Sequence, residues 1–247
     1  MREQRPDLFI AEAVEQTLDV LFEVYGKNLL SMAALYGSAA KGNFVSGLSD
    51  INMFVIIQSE SKERLIAAAE KFGVLLERYR IKLLIMTELE MQESADMFPL
   101  EFLEIRETMK LLAGENLLET LIIDRRHYRH QLEERLRGSI TMLRQLILIS
   151  GSRKKMILEQ FLIWGGKQDT LLRALIRLKD ESSLQRVGAE AGPEVARTAA
   201  DLYGVDVKGL KRMYTVRDNP KGSEITREFL AELLVIYEAL AHMVNSL

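Results

Sequence analysis

Apolar residues recur at helical spacing from residue 8 to about residue 30, at Ile10, Val14, Leu18, Leu21, Phe22 and Tyr25. That period predicts an amphipathic helix, and Gly26 marks its end. Two short apolar runs follow, over 32–36 and 51–57; the first stops at Gly37-Ser38 and the second starts directly after Asp50. Both have strand length and a turn signal at one end. Residues 61–78 return to helical period behind Ser-Lys-Glu-Arg, an opening able to cap a helix. Residues 79–86, rich in Ile and Leu, predict a buried strand. An acidic loop is expected over 88–96, leading into Phe98-Pro99-Leu100-Glu101, with one more strand over 104–112 ending at Gly114. Helix, strand, turn-helix, strand, helix, strand and strand in that order describe a mixed sheet carrying helices.

Beyond Asp124 the pattern becomes helical throughout. Residues 125–150 carry a stripe of Leu132, Leu136, Ile140, Leu143 and Ile147, and Gly151-Ser152 breaks it. The period resumes over 154–178 with Ile157, Phe161, Trp164, Leu171 and Leu175, then over 193–203 and 207–214. Residues 217–222 read as a loop, after which Ser223 is expected to cap a last helix containing Phe229, Leu233, Ile236, Leu240 and Met243. Stripes on consecutive helices with short connections describe a bundle. The expected class is therefore α+β, with a mixed-sheet domain over residues 1–122 and an all-α helical bundle over 123–247.

Composition narrows the function classes. The chain has 247 residues, 48% hydrophobic and 28% charged, which is ordinary for a soluble globular protein. A net charge of −3 and a pI near 5.8 give no global attraction to nucleic acid or to an anionic membrane, so neither is expected as a partner. Zero cysteines exclude a disulfide framework and thiolate metal sites, in keeping with a reducing compartment. No apolar run approaches the roughly 18 to 20 residues that span a bilayer. Nothing behind Met1-Arg2-Glu3-Gln4-Arg5-Pro6-Asp7 reads as a signal h-region. A cytoplasmic protein is expected.

The candidate chemistry lies between the two first strands. Leu35-Tyr36-Gly37-Ser38-Ala39-Ala40-Lys41-Gly42 ends a strand at a Gly-Ser turn where a helix should start. There Gly37 allows close backbone approach, and backbone N–H groups with Ser38 can hold phosphate oxygens. Lys41, one turn on, adds a positive charge. Eleven residues separate Ser38 from Asp50 in Ser49-Asp50-Ile51-Asn52. Asp50 and Asn52, two apart, project from one strand face.

This arrangement resembles the nucleotidyltransferase superfamily, which includes aminoglycoside adenylyltransferases and the small minimal nucleotidyltransferases. The likeness is close over 31–57 and looser through Phe98-Pro99-Leu100-Glu101 into the helical half. It implies ATP or another NTP as substrate, Mg2+ held by two aspartates, and a third carboxylate on the next strand as base. It also implies transfer of a nucleoside monophosphate to a small-molecule acceptor, with pyrophosphate leaving. By the same likeness the nucleotide site comprises Gly37, Ser38, Lys41, Asp50, Asn52 and Lys82. Asp50 is the catalytic and metal-binding aspartate, and Asn52 stands at the second metal position. A homodimer is compatible with the family.

The chain departs from that pattern at two places. Asn52 replaces the second aspartate, and Lys82 occupies about the place of the third carboxylate, with Glu88 and Glu90 beyond the strand end as the remaining acids. Neutralised in this way, a site attracts magnesium poorly. A second reading follows, a catalytically inactive module of the same fold that binds nucleotide or a protein partner. Elsewhere, His127 and His130 read as a solvated helix face, and Arg125, Arg126, Arg129, Arg135 and Arg137 as i,i+4 partners of Glu133 and Glu134. Trp164 with Phe161 and Gly165-Gly166 reads as packing at a kink.

Overall fold

The computed structural model describes residues 6–42, 44, 49–151, 154–187 and 192–247. Most of the 43–48 link and Ser152 of the Gly151-Ser152 break lie outside them. The chain is α+β and forms two compact units, Met1–Ile123 and Asp124–Leu247.

The first unit runs α1 (Pro6–Leu29), β1 (Leu30–Tyr36), α2 (Ser38–Lys41), β2 (Ile51–Ile57), α3 (Lys62–Tyr79), β3 (Ile81–Thr87), α4 (Glu88–Glu93), α5 (Pro99–Thr108) and β4 (Lys110–Gly114). The helical path of α1 breaks at Gly26, whose φ of 66° and ψ of 172° suit only glycine, so the chain turns toward β1 where the sequence signalled. The sheet order is β3-β2-β1-β4. β1 pairs antiparallel with β2 and β4, and β2 pairs parallel with β3 through the α3 crossover. The two central strands are buried on both faces, which explains their unbroken apolar runs. Ala33, Leu35, Met53 and Val55 pack toward α1 and α3. Met32, Ala34, Phe54 and Ile56 pack toward Phe102 and Ile105 of α5 and Met91 of α4.

Three features of this unit correct the sequence reading. The expected acidic loop over 88–96 begins as α4, because Thr87 and Glu90 form a reciprocal capping box that satisfies the first orphan N–H groups. The strand expected from residue 104 is helix as far as Thr108, started by Pro99 in the first turn and held by buried Leu100, Phe102 and Ile105. Only Lys110–Gly114 is strand. The cap of α3 is as expected, with Ser61 Oγ accepting from Arg64 N at 3.2 Å.

The second unit contains α6 (Arg125–Ile149), α7 (Lys154–Gly165), α8 (Gln168–Lys179), α9 (Glu181–Val187), α10 (Pro193–Tyr203), α11 (Val207–Asp218) and α12 (Arg227–Asn245). Its described residues hold no strand. The helix expected over 154–178 is two helices, divided at Gly166-Lys167. Before that break, Trp164 packs against Phe161 and Tyr237. α9 was not anticipated. Thr226, rather than Ser223, caps α12 by accepting from Phe229 N, because residues 220–222 first close a 3-10 turn. Glu133 pairs with both Arg129 and Arg137 in i,i+4 geometry, as the charge pattern implied. His127 and His130 are exposed.

Candidate functional site

The antiparallel register of β1 and β2 sets Tyr36 opposite Asn52, so the Gly37 turn lies beside the start of β2. The parallel register of β2 and β3 sets Asn52 opposite Lys82. Tyr36, Asn52 and Lys82 thus form one row across three strands. Tyr36 packs with the α5 side of the sheet, which fixes the face of that row. Residue 82 therefore stands across from residue 52.

At the turn, Gly37 has φ 71° and ψ −147°, a conformation confined to glycine. A Cβ there would meet Asn52 Nδ2 at 3.0 Å, so the side chain at 52 and the turn backbone are in close approach. The Gly37 N–H donates to Thr108 Oγ1 at 3.1 Å, and the Lys41 N–H donates to Gly37 O at 3.1 Å. That Gly37 amide, expected to face phosphate, is thus committed to α5, and α2 is a single four-residue turn. Ser38 and Lys41 are half-buried on it.

The electrostatic centre is Asp50. Its Oδ1 accepts from Arg80 Nε at 3.1 Å and Nη2 at 3.0 Å, and its Oδ2 pairs with Lys82 Nζ at 2.5 Å. Both carboxylate oxygens therefore face protein cations. The Lys82 ammonium, then the Arg80 guanidinium, hold the Asp50 carboxyl below its ordinary range against the opposing effect of burial. The carboxylate side chain is 23% exposed, whereas Arg80 and Lys82 are 50% and 71% exposed, so the cations form the solvent side of the cluster.

Arg80 was not anticipated. It follows Tyr79, which is almost fully buried and hydrogen-bonds Glu12 and Gln16 of α1. The Arg80 carbonyl accepts from Ile51 N at 3.0 Å, extending the β2–β3 ladder by one step. The available signal was its place directly before a strand parallel to β2, which aligns residue 80 with residue 50.

Glu88 and Glu90 stand at the far end of β3 from Lys82. Five strand residues, 83–87, lie between Lys82 and Glu88, and the six rises make about 20 Å. Glu88 instead accepts from Ser31 Oγ, and Glu90 caps α4. Neither substitutes for the third carboxylate. At the Tyr36 end of the row, burial and then the charges of Glu104 and Glu101 of α5 raise the pKa of the phenol.

A divalent cation does not fit this donor set. Magnesium takes hard oxygen ligands, chiefly carboxylates, and here both oxygens of Asp50 are engaged by cations while Asn52 is neutral and faces Lys82. Among the described residues, no three acidic or histidine side chains gather as a metal cluster. No described helix is long and apolar enough to cross a membrane. The sequence matches no protein-family model and no curated protein.

Proposed function

We propose that the Met1–Ile123 unit is a nucleotidyltransferase-type domain that binds a nucleoside triphosphate by its phosphates. The observation that carries this reading is the row of Tyr36, Asn52 and Lys82 beside the Gly37 turn, with Arg80 and Lys82 turned to solvent around Asp50. A turn that tolerates only glycine, next to two exposed cations, suits a polyanion that needs close approach and charge neutralisation. In this form the domain binds nucleotide without transferring it.

Transfer of a nucleoside monophosphate to a small acceptor is the second reading. Its support is Asp50 at the strand start, together with the negative charges of Glu104 and Glu101 that bear on Tyr36. Calorimetric titration of the full chain with ATP, with magnesium and with EDTA, tests the first reading. Saturable binding that is indifferent to magnesium supports it, and no binding under either condition refutes it. Magnesium-dependent release of pyrophosphate, lost in Asp50→Ala, establishes the second reading instead.

A further inference from the structure

Arg80 has φ 54°, and among the described residues it is the one non-glycine residue with positive φ. It sits in the left-handed position that ends α3, where its N–H donates to the carbonyls of Glu77 and Leu76. Glycine is the residue that position favours, since it carries no Cβ penalty there. All the capping bonds are made by backbone and would survive in glycine. Strain kept at such a position points to a use for the side chain. The guanidinium holds one oxygen of Asp50, the Lys82 ammonium holds the other, and Asn52, the neighbour of Lys82 across the ladder, adds no charge.

We propose that Arg80 and Lys82 form a metal-free receptor for the phosphate chain of a nucleotide, in which the Asp50 carboxylate serves as an internal counter-anion until phosphate displaces it. The inference rests on the nucleotide-binding reading and deepens it. In a magnesium-dependent site the aspartate attracts the metal–nucleotide complex, so its removal weakens binding. Here the aspartate competes with the incoming phosphate for the same two cations, so its removal strengthens binding. The sign of the Asp50 effect is therefore inverted.

The test measures binding of ATP and of inorganic tripolyphosphate to the full chain in excess EDTA, by calorimetry. Wild type binds both. Asp50→Asn binds both about two- to fivefold more tightly, in line with the strength of partly exposed ion pairs. Arg80→Gly and Lys82→Ala each weaken both by a similar factor, and Arg80→Gly melts no lower than wild type because strain is relieved.

Weaker binding by Asp50→Asn overturns the inference. So does an Arg80→Gly chain that melts lower yet binds unchanged, since Arg80 is then only a strut. Binding of ATP solely in the presence of magnesium overturns the inference and leaves the nucleotide-binding reading intact. Binding of neither anion under any condition removes both.

Discussion

Asn52→Asp combined with Lys82→Glu replaces the neutral and cationic members of the row by carboxylates at facing positions of β2 and β3. The local formal charge of Asp50, Arg80 and these two positions moves by three units toward negative. Unit charges 4 Å apart in water interact by about 1 kcal/mol, so a divalent ion gains about 2 kcal/mol for each unit changed. Three units give about 6 kcal/mol, which the retained Arg80, salt and the cost of dehydrating the ion reduce to about half. A net gain of about 3 kcal/mol is about a hundredfold in affinity. Titration with Mn2+, followed by water-proton relaxation, reads this directly. Melting temperature with and without the ion serves as a second readout, because binding to the folded state alone raises it. The reasoning predicts manganese affinity in the double variant and a metal-dependent rise in melting temperature. A double variant that folds yet binds manganese no better than wild type refutes the placement of Lys82 at the third-carboxylate position.

Other outcomes follow from the same structure. Asp50 titrates below the ordinary carboxylate range, so its ion pairs stabilise the fold above that range and the contribution disappears as pH falls through the depressed value; carboxyl NMR should detect this, and Lys82→Ala should move the titration upward. Phe54 is fully buried beneath α5, and Phe54→Ala should cost about 3–5 kcal/mol in urea unfolding. Tyr237 is fully buried and donates to Gln168 Oε1 at 2.8 Å, so Tyr237→Phe leaves that acceptor unpaired and should lower stability by about 1–3 kcal/mol without affecting ATP binding.

Much of the first unit was legible because its signals were local. The β1 and β2 runs are apolar, short and closed by Gly37-Ser38 and Asp50, so propensity and turn chemistry agree there. The Thr87-x-x-Glu90 capping box was also present, but the acidic composition of 88–96 masked it. Phe98-Pro99 offers a helix start, but the last residues of α5, 104–108, were instead attributed to a strand. At the site, Asp50, Asn52 and Lys82 could be named from spacing by analogy, but their grouping depends on register. Nothing in a linear pattern states that residue 80 reaches residue 50 from across a parallel ladder. The commitment of the Gly37 N–H to Thr108 was likewise invisible, since the partners are 71 positions apart in the chain.

The most direct test of the account is a crystal structure of the full chain grown with ATP and Mn2+, with anomalous data collected for manganese. The account predicts phosphate oxygens on Arg80 and Lys82, Asp50 displaced from both, and no anomalous peak beside Asp50. A manganese peak between Asp50 and the phosphates, with Arg80 and Lys82 turned away, contradicts it.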